Sequence, residues 1–218
     1  MFFGKLEEGE VIKREKRFRL YVIHKNRKEL VYLPNPGRLE EIIFPGAKIF
    51  MENKINVKRK TKWEAVLGIE NSTYVSLNAS LANKIFYENL RFFPVKVKDL
   101  KREFIFNNSR FDFLINDRIL VEVKSVTLVK ENIGLFPDAP TKRGTRHMEE
   151  MAKWDFEKWV VFVVQRNDAK LVMPHRDIDK NFLKSINYLK EMGGAFFAFK
   201  CEVNPYGIFF GDFIDVKI

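Results

Sequence analysis

Two apolar segments joined by three turn residues set the expected fold in the middle of this chain. Residues 110–115 and 119–124 are rich in Phe, Ile, Val and Leu, as β-strands are, and Asn116-Asp117-Arg118 lies between them. Asn and Asp tolerate the left-handed backbone conformation that a tight turn needs. The sequence therefore predicts an antiparallel hairpin whose side chains alternate between two faces.

The hairpin carries two carboxylates whose relative position depends on the length of the turn. If the turn has three residues, Asp112 pairs directly with Glu122, and Lys124 follows on the same face beside Leu114 and Leu120. The opposite face is then an apolar core face that holds Phe111, Phe113, Ile115, Ile119, Val121 and Val123. A two-residue turn would separate the two carboxylates, unless a β-bulge restored the phase.

The three polar residues suit a metal-dependent phosphodiesterase. Carboxylate oxygens are preferred ligands of Mg²⁺ and Mn²⁺, and a bound metal activates water and offsets charge on a phosphoryl oxygen. A nearby lysine can orient the water or stabilise that charge. We therefore nominate Asp112, Glu122 and Lys124 as catalytic residues, with Asp112 and Glu122 as metal ligands. The alternative is a solvated Glu–Lys ion pair with no catalytic role.

The charge balance narrows the class of partner. The chain has 39 Lys and Arg residues against 29 Asp and Glu, a net charge of +10, which favours nucleic acid or an anionic membrane surface. A membrane is disfavoured because no basic amphipathic segment, bilayer-spanning apolar run or signal-peptide pattern is evident. The single cysteine, Cys201, cannot form an internal disulfide or a cysteine-rich zinc site, and we expect it in a buried strand. These features predict a cytoplasmic protein that binds nucleic acid.

A change of pattern near residue 75 divides the chain into two expected domains. Residues 1–75 contain short strands separated by turn signals at residues 34–37 and 45–46, which is typical of a small β-barrel. The barrel strands are expected at residues 18–23, 29–33, 47–55, 65–70 and 73–77. Residues 76–218 alternate strands and helices, and the apolar run at residues 159–165 suits a central strand. The expected fold class is α/β of the α+β type.

Two basic clusters in the first domain are candidate nucleic-acid contacts. One comprises Lys13, Arg14, Lys16, Arg17 and Arg19, and the other Lys58, Arg59, Lys60 and Lys62. Phe18, Tyr21, Tyr32 and Trp63 lie nearby in sequence. In single-strand-binding barrels, basic residues follow the phosphates while aromatic residues stack on bases. We assign the clusters to nucleic acid and the aromatic residues to the barrel core; the alternative for the clusters is a solvated rim.

Two predicted helices carry further candidate site residues. Glu88, at the border of the apolar stripe of a helix expected at residues 79–91, is a candidate third carboxylate. Thr141 is expected to cap a helix that runs to about Trp154. Its first turns hold four residues that oppose the helix dipole when charged: Lys142, Arg143, Arg146 and His147. A phosphate bound at the helix start would resolve this conflict; alternatively, the side chains simply reach solvent.

Motifs spread over nearly the whole chain resemble those of known proteins. They lie at residues 17–18, 34–38, 78, 82–83, 109–113, 122–128, 136–141, 143–144 and 147. The order of helix, three antiparallel strands with Asp then Glu-x-Lys, helix and strand resembles the PD-(D/E)XK nuclease superfamily. More closely, the chain resembles the sugar fermentation stimulation protein A family. The stretch from residue 109 to 147 is the most specific part of the likeness.

This resemblance implies an OB-like first domain, a nuclease-like second domain and DNA as the partner. It implies metal ligation by Asp112 and Glu122 and a catalytic role for Lys124. Additional candidate site residues are Glu88, Asp138, Thr141, Arg143 and His147. Additional candidate nucleic-acid contacts are Arg38, Lys142 and Arg146. Pro36 stands where the family pattern leads us to expect a threonine-like residue, so a hydroxyl donor is missing from that turn.

Two functional hypotheses follow. The first is a DNA-binding protein with a nuclease (phosphodiesterase) site that uses Mg²⁺ or Mn²⁺. The second is a non-catalytic DNA-binding regulator of sugar-metabolism genes that keeps a nuclease-like scaffold. An intact catalytic trio favours the first, and the name of the family favours the second. Neither hypothesis fixes the choice of DNA or RNA, single or double strand, or the oligomeric state, for which a homo-oligomer stays open.

Overall fold

A closed five-stranded β-barrel forms the first domain of the structure, a computed structural model that describes residues 1–54 and 61–218. Its strands are β1 (Leu6–Glu15), β2 (Arg19–His24), β3 (Arg27–Tyr32), β4 (Lys48–Asn53) and β5 (Trp63–Glu70). They lie in the order β3-β2-β1-β4-β5, and a parallel pairing of β3 with β5 closes the barrel. A short strand, β6 (Thr73–Ser76), pairs with β5. The small barrel expected from the sequence is confirmed.

The barrel differs from the expectation in one strand and in two aromatic residues. Strand β1 is missing from the strands expected above, because its sequence lacks the apolar alternation that indicates a strand. Only Gly9 and Val11 of its ten residues are buried. Trp63 is buried in the barrel core as expected. The assignment of Phe18 and Tyr32 to the core is wrong, because their side chains are 41% and 36% exposed.

The second domain is a nine-stranded mixed sheet with three helices. Its strands are β7 (Leu100–Phe106), β8 (Ser109–Ile115), β9 (Ile119–Val126), β10 (Val129–Lys130), β11 (Ile133–Phe136), β12 (Lys158–Val164), β13 (Leu171–Pro174), β14 (Gly194–Asn204) and β15 (Gly207–Val216). They lie in the order β10-β11-β13-β15-β14-β12-β9-β8-β7. Strand β12 is parallel to both neighbours and buried at every residue, as expected for a central strand covered on both faces. Cys201 is buried in β14, also as expected.

The helices cover opposite faces of this sheet. Helix α1 (Leu81–Glu88) packs on the face that holds Trp159, Val161 and Val163 of β12. Helices α2 (Lys142–Met151) and α3 (Lys180–Glu191) pack on the face that holds the alternate residues Val160, Phe162 and Val164. Each face therefore buries its own apolar cluster. Within the described residues, no helix has the length and apolar character needed to cross a membrane.

The hairpin of β8 and β9 has the three-residue turn on which the site prediction depends. Ile115 pairs with Ile119, and Asn116 and Asp117 have φ angles of 54° and 53°, in the left-handed region. The same register continues to Phe113, opposite Val121, which is the last pair of this ladder. The expected three-residue turn is present, but the ladder ends one residue before Asp112, so the direct pairing of Asp112 with Glu122 stays a prediction.

Phe111 lies on the other face of the sheet from the one predicted. Its ring joins the cluster under α2, where it packs with Leu114 and Leu120, rather than the cluster that holds Phe113. The alternation breaks near Asp112, which accepts the Val123 amide on its side chain. Strict alternation requires a regular ladder on both sides of the strand, and this contact interrupts it.

A buried arginine joins the two domains. The Arg166 side chain, 1% exposed, donates to both carboxylate oxygens of Asp168 at 2.6 and 2.7 Å and to Glu70 at the end of β5. It also donates to the backbone carbonyl of Thr127 at 3.0 Å. Two carboxylates from different domains therefore share one guanidinium.

We expect Arg166→Met to lower the free energy of unfolding by about 2–4 kcal/mol, because it leaves two carboxylates without their buried partner. The lower part of the range for broken buried pairs applies, since Glu70 and Asp168 keep some contact with water. Urea unfolding measures the loss. The matched control is Arg118→Met, which breaks an exposed pair with Glu157 and should cost less than about 1 kcal/mol. Equal losses in the two variants would contradict the assigned role of Arg166.

Candidate active site

A cleft of about 350 Å³ lies between the barrel and the mixed sheet. Its floor is formed by residues of the hairpin: Asp112, Glu122, Lys124 and Ser125. One wall is the barrel turn at residues 35–37, and the other is the start of α2 with the segment before it. The structure thus brings the three nominated catalytic residues together in a cleft to which both domains contribute.

Glu122 is buried with one carboxylate oxygen satisfied and the other without a partner. Oε1 accepts hydrogen bonds from Lys124 Nζ at 2.6 Å and from His147 Nδ1 at 2.7 Å. Oε2 is buried and has no hydrogen-bond partner within the described part of the chain. Burial alone would raise the pKa of Glu122, but the Lys124 charge and the His147 hydrogen bond outweigh it and lower the pKa. Glu122 is therefore an anion with an unused oxygen.

The neighbours of His147 define which of its nitrogens carries the proton. Arg143 Nε, which always bears a hydrogen, donates to His147 Nε2 at 3.3 Å. Nε2 must therefore accept, so Nδ1 carries the proton that is donated to Glu122. The ring is 1% exposed and contacts Phe111. His147 consequently holds Glu122 Oε1 in place from below the cleft, which its own ring does not line.

Both carboxylate oxygens of Asp112 accept hydrogen bonds, yet the ionised form of the group is disfavoured. Oδ1 accepts from Asn83 Nδ2 of α1 at 2.6 Å, and Oδ2 accepts from the Val123 amide at 2.8 Å. Burial, followed by repulsion from the Glu122 carboxylate, raises the pKa of Asp112 to about 6. Either a proton or a cation between the two carboxylates would relieve this repulsion.

The donor set fits a hard divalent cation. The unpaired Glu122 Oε2 and the Asp112 carboxylate offer anionic oxygens with free lone pairs. Among the described residues, no third His, Cys, Asp or Glu completes a group of three that could hold a metal. Mg²⁺ is usually held by one or two carboxylates, with waters and substrate phosphates filling the other positions. Asp112 and Glu122 are thus the residues that can hold such an ion.

Asp138 binds the barrel turn to the second domain at the mouth of the cleft. Its Oδ2 accepts the backbone amide of Arg38 at 3.1 Å, and burial raises its pKa. A Cβ at Gly37 would lie 2.0 Å from the same oxygen, so any larger residue would displace the Asp138 carboxylate from this position. The Gly37 amide donates to Asn35 Oδ1 at 2.8 Å. These contacts fix the turn in which Pro36 replaces the expected threonine-like residue.

Two family models together match nearly the whole chain. The model described as the SfsA N-terminal OB domain matches residues 12–77, and the one described as the sugar fermentation stimulation protein RE domain matches residues 78–207. The chain belongs to the sugar fermentation stimulation protein (SfsA) family. Homologs from Clostridium botulinum and Clostridium kluyveri are each 33% identical to it. The first comparison covers 97% of this chain and 96% of the relative, and the second covers 100% of both.

A solved structure from the SfsA family shares the fold along its whole length. Pyrococcus furiosus SfsA in complex with Ca²⁺ is 25% identical, with a TM-score of 0.88 over 100% of this chain and 98% of that one. The likeness confirms the expected fold, a small OB-domain barrel followed by a mixed-sheet domain with three helices.

Of the additional site residues in this SfsA family member, four border the cleft or its floor and one does not. Asp138, Thr141 and Arg143 line the cleft, and His147 supports Glu122 from below. Thr141 caps α2, as expected, by accepting the Gly144 amide at 3.0 Å.

Glu88 lies away from the cleft, contrary to its nomination as a third carboxylate. It is exposed, pairs with Lys84 at 3.7 Å and lines a different depression with Arg91 and Phe92. Glu88 follows Asn83 by five residues, which rotates it well away around α1. Asn83, which the charge and spacing analysis did not single out, is the residue of α1 that reaches the site. Its signal was its place in the family motif at residues 82–83.

The basic residues nominated as nucleic-acid contacts differ in their exposure and in their partners. Five exposed side chains lie on the barrel or its turn: Lys13, Lys16, Arg17, Arg19 and Arg38. Lys142 and Arg146 are exposed on α2. Arg14 differs, because its guanidinium donates to the backbone carbonyls of Arg17, Asn35 and Arg38 and so holds the barrel turn. Lys62 lines a separate depression beside Trp63 and His24. Lys58, Arg59 and Lys60 lie outside the described residues.

The raised pKa of Asp112 predicts how pH and metal act on stability. Because the folded-state pKa of about 6 exceeds the ordinary 3.8, the folded protein holds this proton more tightly than the unfolded chain. In metal-free protein, this stabilising contribution is complete below pH 4 and is lost as pH rises through about 6. A divalent cation competes with the proton, so it should raise the Tm more at pH 7.5 than at pH 5.5.

Thermal unfolding in EDTA or in excess Mg²⁺, Mn²⁺ or Ca²⁺ measures this difference. At a hundredfold excess over Kd, we expect a rise of roughly 5–10 °C at pH 7.5. Asp112→Asn should abolish the pH dependence, whereas the exposed Asp99→Asn should retain it. A cation effect of equal size at both pH values, or one that survives in Asp112→Asn, would contradict the assignment.

Proposed function

We propose that this protein is a nuclease that uses Mg²⁺ or Mn²⁺ to cleave a phosphodiester bond of DNA in the cleft between its domains. The observation that carries the proposal is the buried, unpaired Oε2 of Glu122, in a carboxylate close enough to Asp112 to raise its pKa. A buried anionic oxygen without a partner is costly unless a cation or water completes it. The Ca²⁺ complex of the Pyrococcus furiosus relative supports a divalent cation as the partner.

Asp112 and Glu122 have complementary roles in this proposal. Both hold the cation, which supplies Lewis acidity and an activated water when bound. Glu122 is kept anionic by Lys124 and His147. Asn83 and the Val123 amide hold the Asp112 carboxylate in place at 2.6 and 2.8 Å. Preorganised ligands of this kind need little rearrangement to receive a cation.

Lys124 is placed to act on the reacting phosphate. Its ammonium donates one N–H to Glu122 Oε1 at 2.6 Å, and within the part of the chain that the structure describes the other two N–H groups remain for water or a phosphoryl oxygen. The side chain is 9% exposed and lines the cleft, where a low local dielectric strengthens its interaction with developing negative charge. Lys124 would thus orient the attacking water and stabilise the transition state.

Positive charge around the cleft favours a polyanionic substrate. Arg143 lines the cleft, and among the described residues only its Nε is bonded, to His147, so its terminal nitrogens are available for a phosphate. Arg38 follows the barrel turn directly. Arg17 lies in the β1–β2 loop, which the side chain of Arg14 connects to that turn. The net charge of +10 adds a long-range attraction for DNA.

The decisive test is cleavage of labelled single- and double-stranded DNA and of RNA with Mg²⁺, Mn²⁺, Ca²⁺ or EDTA. We expect cleavage of DNA with Mg²⁺ or Mn²⁺ and none in EDTA. Glu122→Gln and Lys124→Ala should each lower the rate by at least about 100-fold, because each removes charge that acts in the transition state. The matched controls are Glu131→Gln and Lys130→Ala, which make comparable changes at two adjacent exposed residues that follow β9 in the chain.

Measuring DNA binding beside cleavage separates the nuclease from the non-catalytic regulator. If no substrate is cut with any metal while wild-type protein and variants bind DNA equally, the nuclease proposal is wrong. The same result would favour the DNA-binding regulator, with the polar trio as a structural ion pair. Cleavage that persists in Glu122→Gln would place the activity elsewhere or in a contaminant.

A further inference from the structure

Two aromatic side chains of the barrel form an exposed pair near the cleft. Phe18 and Tyr32 are 41% and 36% exposed, and their ring centroids lie 6.3 Å apart with a tilt of 38°. They come from the β1–β2 loop and the end of β3. The Leu33 amide donates to the Phe18 carbonyl at 3.1 Å, which ties the two backbone segments together. Exposed aromatic rings cost hydrophobic free energy, so an exposed pair on a fixed backbone suggests a ligand.

The surroundings of this pair are strongly basic. Lys16, Arg17 and Arg19 flank Phe18 in the chain and are exposed. Within the described residues, no carboxylate lies within ion-pair distance of these three side chains. An apolar protein partner would have to leave these charges unpaired or supply acidic residues to match them. A nucleic acid satisfies both features, since its phosphates pair with the cations and its bases stack on the rings.

The pair is directly connected to the cleft. Tyr32 precedes Asn35, a residue of the cleft wall, by three positions, so their Cα atoms are at most about 11 Å apart. Arg14 holds the carbonyls of Arg17, Asn35 and Arg38 together. The loop that bears Phe18 and the turn that forms the cleft wall therefore share one anchor.

We propose that Phe18 and Tyr32 form a stacking platform for unpaired bases, which selects single-stranded nucleic acid and directs it into the cleft. The bases of a duplex stack on one another and leave no face free for a side chain, whereas an unpaired base offers its whole π-face. The inference deepens the proposed nuclease function and rests on it in one respect: guiding a strand toward Asp112 serves cleavage only if the cleft is the nuclease site. The stacking itself is a binding property that can be measured without cleavage.

The test compares oligonucleotides that differ only in their bases. The probes are a fluorescein-labelled oligothymidylate of about 20 nucleotides, an abasic strand with the same phosphates, and a duplex of the same length. Binding is followed by fluorescence anisotropy in EDTA. We expect Phe18→Ala/Tyr32→Ala to weaken binding of the oligothymidylate by about 5- to 100-fold, because stacking on each ring is lost. The affinity of this double variant for the abasic strand and for the duplex should stay within about twofold of wild type.

Three controls make the comparison specific. Tyr206→Ala removes an aromatic ring that is 78% exposed on the second domain, and should leave all affinities unchanged. Phe18→Trp/Tyr32→Trp keeps the stacking surfaces and should restore binding. Arg17→Ala should reduce the salt dependence of binding, by about 0.7 in the slope of log K against log salt, whereas the aromatic variants should leave the slope unchanged. Because both rings are exposed, the Tm of each variant should stay near that of wild type.

An equal loss on all three probes, or no loss on the oligothymidylate, would overturn the platform. These results are independent of catalysis. If the platform is wrong, Mg²⁺-dependent cleavage still occurs with an unchanged KM in the aromatic variants. If the nuclease proposal is wrong, the base-dependent binding remains and cleavage is absent.

Discussion

The incomplete pairing of the Glu122 carboxylate is the interaction on which the candidate site depends. Burying a carboxylate costs several kcal/mol unless partners replace the lost water. Lys124 and His147 replace it at Oε1, and nothing in the described chain replaces it at Oε2. The same two partners keep Glu122 ionised, so the unpaired oxygen carries negative charge. In a purely structural ion pair, both carboxylate oxygens would have partners. Here Oε2 has none among the described residues, so it can accept a cation.

The rest of the fold places other groups around the Glu122 carboxylate and the cleft that it lines. The hairpin brings Asp112 close enough to Glu122 that, after burial, repulsion between the two carboxylates contributes to the raised pKa of Asp112. Asp138 and Gly37 hold the barrel turn over the cleft, and Arg166 ties the barrel to the sheet elsewhere. The cleft therefore exists only while both domains are docked. This gives a physical reason for a two-domain protein in which each domain alone would have an incomplete site.

Features set by local sequence could be predicted, and features set by distant contacts could not. Turn chemistry at Asn116 and Asp117 determined the hairpin register, and Thr141 determined the start of α2. The contact of Arg38 with Asp138 joins residues 100 positions apart, which no periodicity reveals. The same holds for the exposure of the Phe18 ring, which depends on how the barrel closes. The error at Glu88 came from judging helical phase without knowing which part of α1 meets the hairpin.

The most direct test of this account is a crystal structure of the protein with Mn²⁺, with anomalous diffraction measured near the manganese edge. The account predicts an anomalous peak for a Mn²⁺ ion about 2.0–2.3 Å from Glu122 Oε2 and from one oxygen of Asp112. Water or phosphate should fill the remaining coordination positions of the ion. Lys124 and His147 should remain on Oε1. A well-ordered cleft with no peak at saturating Mn²⁺, or a peak that avoids both carboxylates, would contradict the central role of the open oxygen.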